Sequence, residues 1–246
     1  VLYLATVRLS GWTSPQSTVN ILKDGVSHAR VTAREDGRFE STVANLERGS
    51  YTLALYAIDR KGRNTSLYAS TLTLAQGSSN SVSNIVLPPT VEVSSTVAIG
   101  SDVVVSGEAP PGSSLEVFAT VSEGIRTSKQ FAATSSKGVL GVPDGAWSLT
   151  IPAREFSEGT YEIRARAILS SLSRSEFSRV AYVGIGVDTS ENSSTRTDVN
   201  GDEKVNLIDF SIMLSFWGTD NAGADINQDG IINLADFSIL LFNWTG

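Results

Sequence analysis

A twelve-residue pattern occurs twice near the C-terminal end of this 246-residue chain, and it constrains the fold more than any other feature. The first copy, DVNGDEKVNLID, spans residues 198–209, and the second, DINQDGIINLAD, spans residues 225–236. Each copy places Asp or Asn at positions 1, 3, 5, 9 and 12. Because every one of these positions is filled twice, the pattern indicates two equivalent binding loops rather than Asp-rich turns on a solvated surface.

The oxygen-bearing positions predict two Ca²⁺ sites. Side chains at positions 1, 3 and 5 wrap one side of a cation, a backbone carbonyl at position 7 adds a ligand, and a carboxylate at position 12 closes the other side. Hard oxygen ligands in this number favour Ca²⁺. The predicted ligands of the first loop are Asp198, Asn200, Asp202, Asn206 and Asp209, with the carbonyl of Lys204. Those of the second loop are Asp225, Asn227, Asp229, Asn233 and Asp236, with the carbonyl of Ile231.

The two loops differ at position 6, where the backbone turns sharply and glycine is favoured. Gly230 occupies this position in the second loop, but Glu203 occupies it in the first. A non-glycine residue with positive φ is strained by roughly 1–2 kcal/mol, so we expect the first site to bind Ca²⁺ more weakly. At position 8, the apolar Val205 and Ile232 are expected to form a short strand pair that joins the loops.

An apolar helix is predicted after each loop, over residues 207–218 and 234–245, whereas the polar stretches before the loops do not form long amphipathic helices. On each helix one stripe with a period of 3.6 residues is expected to be core. These stripes are Phe210, Met213, Leu214 and Trp217, and Phe237, Leu240, Leu241 and Trp244. So small a domain has little interior for further apolar residues. Some of them are therefore expected to form an exposed patch of the kind that marks an interface.

The net charge of −7 is concentrated in this C-terminal segment. Residues 198–246 hold 8 acids and one base, Lys204, a net −7, so the first 197 residues hold 18 acids and 18 bases and sum to zero. A neutral body with an acidic end argues against nucleic-acid binding, which needs a basic face. The chain has no cysteine and no run of eighteen apolar residues that would predict a membrane span.

Residues 1–187 are predicted to be β-structure. Alternating apolar runs lie at 17–22, 38–43, 50–58, 70–74, 114–119, 146–151 and 160–168, and Asp-Gly or Pro-rich turns separate them. The segments 11–22 and 36–57 align with 107–118 and 144–167, which indicates an internal repeat. We therefore predict two homologous domains, 1–88 and 89–187, joined by the stiff LPPT (87–90) and followed by a polar linker, 188–197.

The two loops, each followed by a helix and closed by Asp rather than Glu, resemble the dockerin domain over residues 198–246. The resemblance implies a domain that folds on two Ca²⁺ ions and binds a cohesin domain on another protein, often a scaffoldin of a cellulosome. It also implies contacts just before position 12 and along the helices. With the apolar residues off the core stripes, the candidate partner-binding residues are Leu207, Ile208, Ile212, Phe216, Leu234, Ala235, Ile239 and Phe242.

The two upstream repeats resemble the immunoglobulin-like modules of bacterial surface and secreted proteins. They share a glycine, a proline turn, DG followed by Phe or Trp, and Gly-Ser/Thr-Tyr. The lone His28 has no cysteine or nucleophile motif near it, so we predict no catalytic site. Aromatic residues such as Trp147, Tyr51 and Tyr161 fit a buried sandwich core better than a sugar-binding face.

The sequence thus predicts a secreted or cell-surface, non-catalytic protein. Its fold class is two all-β immunoglobulin-like sandwiches, acting as spacer or presentation modules, followed by a small all-α dockerin-like domain with two EF-hand-type calcium loops. Two alternatives stay open. The chain is the C-terminal accessory region of a larger polysaccharide-degrading enzyme and associates with polysaccharide through the full-length protein, or the calcium module is an intramolecular clamp on the second sandwich.

Overall fold

The chain folds into two compact units, Val1–Val187 and Asp188–Gly246. The structure is a computed structural model that describes residues 4–122, 127–136, 144–170, 173–187, 197–200, 204–219, 221, 223–226 and 231–245. The first unit is built of β-strands and the described part of the second carries helices. The predicted fold class, β-sandwiches followed by a small helical domain, is therefore confirmed.

The first sandwich is formed by seven strands. They are β1 (Ala5–Trp12), β2 (Thr18–Lys23), β3 (Val26–Thr32), β4 (Arg38–Leu46), β5 (Gly49–Ile58), β6 (Tyr68–Leu74) and β7 (Ser79–Val86). One sheet has the order β4–β1–β7 and the other β3–β2–β5–β6. β1 and β7 are parallel, whereas the other neighbours are antiparallel. Alternate side chains point inward and form the first core, whose fully buried members include Leu9, Ile21, Leu53 and Leu55.

The second sandwich repeats the central strand pairings of the first, but its sheet-edge strands pair differently. Its strands are β8 (Glu92–Val93), β9 (Thr96–Val97), β10 (Val103–Glu108), β11 (Ser114–Val121), β12 (Ser128–Thr134), β13 (Ala146–Ile151), β14 (Gly159–Ser170), β15 (Ser173–Arg174) and β16 (Ala181–Ile185). The sheet orders are β13–β10–β8 and β12–β11–β14–β16–β9, and β15 pairs with β14. The second core includes the buried Leu115, Trp147, Ile151 and Ile163.

A tyrosine lies near the start of β5 in the first sandwich and near the start of β14 in the second, and it holds the turn that precedes the strand. The Tyr51 hydroxyl donates to the Glu47 carbonyl at 3.2 Å, and the Tyr161 hydroxyl donates to the Ser157 carbonyl at 3.3 Å. This arrangement is the tyrosine corner of immunoglobulin-like sandwiches. Trp147 and Tyr161 are buried, and Tyr51 packs against the first core. The aromatic residues therefore serve the cores, as the alternation indicates.

The connector between the sandwiches is buried throughout residues 85–90. The Leu87 N–H donates to the Trp12 carbonyl in the first sandwich, and the Thr90 N–H donates to the Glu108 carbonyl in the second, both at 2.9 Å. Trp12 also packs against the second core. The connector is thus hydrogen-bonded to both sandwiches. The two residues between Leu87 and Thr90 are prolines, which have no backbone N–H that would need a partner.

The described part of the second unit has two helices, α1 (Leu207–Ser215) and α2 (Leu234–Phe242). The core of this unit, which we call the third core, consists of Val205, Met213, Ala224, Ile226, Ile232 and Leu240. The rings of Phe210 on α1 and Phe237 on α2 lie 4.7 Å apart between centroids. Most of these residues recur with a spacing of 27, so the two loop-helix copies contribute equivalent side chains to one core.

The predicted helix stripes are only partly core. Met213 and Leu240 are fully buried, and Phe210 and Phe237 pack against the third core. The expectation is wrong for the other stripe residues, because these are more than a third exposed. They are Leu214, Trp217, Leu241 and Trp244. Trp217 and Trp244 follow the ends of these short helices, whereas Leu214 and Leu241 lie within the helices on the side that faces solvent.

Candidate metal centre

The position-12 carboxylates, Asp209 and Asp236, are held at the N-terminal ends of the helices. Asp209 accepts the Asn206 N–H through Oδ2 at 2.8 Å and the Asn200 N–H through Oδ1 at 3.1 Å. Asp236 accepts the Asn233 N–H through Oδ2 at 2.8 Å. A carboxylate has about four lone-pair sites, so these bonds fix its orientation and leave capacity for a cation. The helix dipole also favours negative charge at this end.

The position-9 asparagines are the N-cap residues of the two helices, and their side chains accept hydrogen bonds from the first turn. The Asn206 Oδ1 accepts the Ile208 N–H, and the Asn233 Oδ1 accepts the Ala235 N–H, both at 2.7 Å. Each loop therefore ends in a reciprocal capping box, in which positions 9 and 12 cap the helix together. This local chemistry explains why Asn and Asp recur at these spacings and why each helix starts directly after position 9.

Burial of charge supports a cation in both loops. Asp209 and Asp236 are 0% exposed, and Asp198 and Asp225 at position 1 are 7% exposed. Carboxylates resist burial unless a positive charge compensates them. The only base in residues 198–246 is Lys204, which is exposed. An all-oxygen ligand set with buried carboxylates and so little basic charge fits Ca²⁺.

The predicted ligands stand as follows. The described ones are Asp198, Asn200, Lys204, Asn206, Asp209, Asp225, Ile231, Asn233 and Asp236, and the Ile231 carbonyl accepts the Asn233 side-chain amide at 3.0 Å. Asp202, Asn227 and Asp229 lie outside the described residues, as do Glu203 and Gly230 at position 6. The described part of each loop holds two carboxylates, so no group of three His, Cys, Asp or Glu side chains is found within it.

The position-8 residues do not pair with each other as the sequence suggested. Instead, each loop is fastened by the chain that follows the helix of the other copy. The Val205 N–H donates to Thr245 Oγ1 at 2.8 Å, and the Thr245 N–H donates to the Val205 carbonyl at 2.9 Å. The Ile232 N–H donates to the Thr219 carbonyl at 2.9 Å, and the Gly218 N–H donates to the Ile232 carbonyl at 2.8 Å. Sequence reasoning missed this exchange, because its only signal is the 27-residue offset between Gly218 and Thr245.

The partner-binding candidates lie mostly on exposed helix surface. Leu207 and Leu234 are 66% and 68% exposed, and Ile208, Phe216, Ala235 and Phe242 are exposed as well. Ile212 is half-buried, and Ile239 packs against the third core. Each helix thus directs one apolar side to the core and another to solvent. No helix among the described residues is long and apolar enough to cross a membrane.

Residues 196–241 match the family model of the dockerin type I domain, which confirms the resemblance inferred from the loops. Domains of this family bind calcium. A DUF3823 family protein from Bacteroides ovatus is 15% identical, with a TM-score of 0.28, over 75% of this chain and 99% of that one. The fibronectin type III-like modules of Clostridium thermocellum CbhA are 17% identical, with a TM-score of 0.23, over 71% of this chain and 80% of theirs. No curated protein matches the chain.

Proposed function

We propose that the C-terminal dockerin type I domain of this chain binds two Ca²⁺ ions and docks the chain onto a cohesin domain of a scaffold protein. The observation that carries the proposal is the pair of loops, each ending in a buried Asp that caps an exposed apolar helix. Calcium binding and the helix surface are linked through this Asp. The ion neutralises the loop, the loop sets the start of the helix, and the helix presents the contact residues.

The upstream sandwiches act as spacer or presentation modules. We propose the divisions 1–88 and 89–187 for them, with 188–197 as the linker to the docking domain. Separate hydrophobic cores in the two sandwiches support this division. The chain is a non-catalytic module of an extracellular assembly, and any association with polysaccharide belongs to the protein or scaffold that carries it.

The proposal is tested by measuring binding of the whole chain to immobilised cohesin domains with Ca²⁺ and with a chelator. If the domain docks, the chain binds cohesin in Ca²⁺ and the chelator abolishes this binding. Replacing both Asp209 and Asp236 by Ala also abolishes binding, even in Ca²⁺. The matched control is Asp24→Ala, in a turn of the first sandwich, which leaves binding unchanged. Calcium binding by the chain without binding to any cohesin contradicts docking and favours a structural clamp instead.

A further inference from the structure

The first and last strands of the first sandwich are hydrogen-bonded neighbours that run in the same direction. β1 and β7 pair in parallel over six residue pairs, and we call this pairing the β1–β7 ladder. The Thr6 N–H donates to the Ser78 carbonyl at one end of the ladder, and the Leu87 N–H donates to the Trp12 carbonyl at the other, both at 2.9 Å. The ladder therefore extends along both strands.

This parallel pairing places the entrance and the exit of the sandwich at opposite ends of the same two strands. The chain enters at the N-terminal end of β1 and leaves at the C-terminal end of β7, about 26 Å away for eight residues at about 3.3 Å each. Tension along the chain therefore pulls the two strands in opposite directions along their common axis. All hydrogen bonds of the ladder are then loaded at once, whereas strands pulled apart from one end break them one at a time.

A β-bulge keeps the two strands from sliding past each other. The register of the ladder shifts between Leu9 and Gly11, and Asn84 on β7 has a left-handed φ of 60°. Gly11 lies so close to β7 that a Cβ there would come within 2.0 Å of the Ile85 carbonyl oxygen. Such a bulge pins the register, and a slip by one residue would turn the buried side chains of β7 outward.

Buried side chains and a second ladder also hold these strands. Ile85, Val86 and Leu87, at the exit of β7, are at most 3% exposed. On its other side β1 pairs with β4 over seven residue pairs, so that β1 lies between two strands. Pulling β1 out of the sandwich must break both ladders and expose the core side chains Val7 and Leu9 to water.

The second sandwich has a much shorter parallel pairing among its described residues. β9 and β16 share two residue pairs, Thr96–Gly184 and Val97–Ile185. Its first strand, β8, also pairs over only two residues, and it is antiparallel to β10. Fewer hydrogen bonds therefore share the load where tension enters and leaves this sandwich.

We propose that the first sandwich is a load-bearing module, in which the β1–β7 ladder resists tension, and that the second sandwich is the extensible part of the chain. This inference rests on the proposed docking function and deepens the spacer role of the sandwiches. A docked chain is held at its C-terminal domain, so that any pull on its N-terminal side places the sandwiches under tension. The second sandwich then yields while the first stays folded.

The test stretches the full chain in Ca²⁺ between two attachment points with optical tweezers. Because the chain has no cysteine, Leu4→Cys and Gly246→Cys provide unique points that load the β1–β7 ladder lengthwise. Each sandwich is identified by the extended chain that it releases, about 290 Å for residues 5–86 and about 330 Å for residues 92–185, at roughly 3.5 Å per residue. We expect the second sandwich to open first and the first to need about twice the force or more, since six residue pairs resist instead of two.

A second pair of attachment points loads the same ladder from one end. Leu4→Cys is combined with Gln76→Cys, an exposed position in the turn before β7, so that the two strands are pulled apart sideways. The hydrogen bonds then break one at a time, and we expect the first sandwich to open at about half the lengthwise force or less. Equal forces in the two geometries, or a first sandwich that opens lengthwise at or below the force of the second, overturn the inference.

Two proline substitutions in β7 form a matched pair. Hydrogen bonding alternates along the ladder, so the Asn80 N–H faces β1 and the Ser81 N–H faces away at the edge of the sheet. We expect Asn80→Pro to lower the lengthwise opening force by about a third or more and Ser81→Pro to leave it nearly unchanged, because an edge strand tolerates proline on its outer side. Equal effects of the two variants also overturn the inference, and if Asn80→Pro does not fold, the two attachment geometries decide. All these outcomes leave docking intact, whereas a chain that resists tension but binds no cohesin overturns docking alone.

Discussion

Single side chains decide whether the loops hold a cation. Asp236 caps α2 through Oδ2 and is fully buried, so its negative charge has a structural and a metal-binding role at once. Asn in its place can still accept the Asn233 N–H through its carbonyl oxygen, but it carries no charge. The substitution therefore separates the two roles.

We expect Asp236→Asn to weaken Ca²⁺ binding at the second loop by about tenfold or more, since ligand charge sets affinity in such loops. Isothermal titration calorimetry of the whole chain measures this. Asp144→Asn is the matched control, because Asp144 also caps backbone N–H groups, those of Gly145 and Ala146, in a turn of the second sandwich. Equal affinity in Asp236→Asn and the original chain would show that Asp236 is a helix cap alone.

Secondary-structure elements show where sequence patterns succeed. Each of the seven predicted strand runs coincides with a strand, with Ser17 alone lying outside, because their alternation reflects one buried side. Strands such as β3 and β12 were missed, since both lie at sheet edges and are largely exposed, with little alternation to detect. The position 9 and 12 residues of the calcium loops were predictable because their roles are local. The exchange between Val205 and Thr245 was not, because it joins residues forty apart.

The hydrogen bonds between Val205 and Thr245 predict the effect of a substitution just after α2. Thr245→Val keeps the shape of the side chain but removes the Oγ1 that accepts the Val205 N–H. Because Val205 is buried, its N–H loses a partner at a cost of about 1–3 kcal/mol. We expect lower stability of the second unit in Ca²⁺ and weaker binding at the first loop, measured by thermal unfolding and calorimetry.

The control is Thr219, which follows α1 and lies one position after Gly218, the equivalent of Thr245 in the first copy. The Thr219 hydroxyl donates to the Phe216 carbonyl at an exposed site, while the Thr219 backbone carbonyl accepts the Ile232 N–H. Thr219→Val therefore leaves the fastening bond in place, and we expect little effect. If both variants behave alike, the exchange does not support the loops.

Across the first unit, charges join the two sandwiches at the connector. Asp59, at the end of β5, accepts the Thr90 hydroxyl at 2.8 Å and the Arg63 Nε at 2.7 Å. Arg60 reaches the second sandwich through an ion pair with the buried Glu108 at 3.0 Å. Pro15 also lies against Gly145 and Pro111 against Gly37, so that a side chain at either glycine would collide with the proline. The joint is therefore packed and hydrogen-bonded rather than a loose hinge.

The Asp59 carboxylate makes the stability of the joint between the sandwiches sensitive to acid. Burial alone would raise the pKa of Asp59, but hydrogen bonds from Arg63 and Thr90, with the Arg63 charge, outweigh burial and lower this pKa below its ordinary value of 3.8. A lowered pKa in the folded state means that the ionised carboxylate stabilises the fold above about pH 4, and that this stability is lost as the pH falls through the folded pKa.

We expect Asp59→Asn to reduce the free energy of unfolding at pH 7 by about 3 kcal/mol, because it leaves Arg63 without its buried partner. The difference from the original chain should shrink as the pH falls below about 4 and through the lowered folded pKa of Asp59. Urea unfolding across this pH range measures both effects. Glu40→Gln, in an exposed pair with Arg8, is the control that leaves stability unchanged. A difference that is constant with pH would rule out a role for the Asp59 charge.

The central claim, that two Ca²⁺ ions organise the docking domain, is tested most directly by calorimetric titration of the whole chain with Ca²⁺, alongside Asp198→Ala and Asp225→Ala. We predict two bound ions of unequal affinity, with Asp198→Ala removing the weaker step and Asp225→Ala the tighter one, since Glu203 replaces glycine in the first loop. Tryptophan fluorescence from the exposed Trp217 and Trp244 should change over the same titration. A chain that binds no Ca²⁺, or that binds it equally in both variants, would contradict this account.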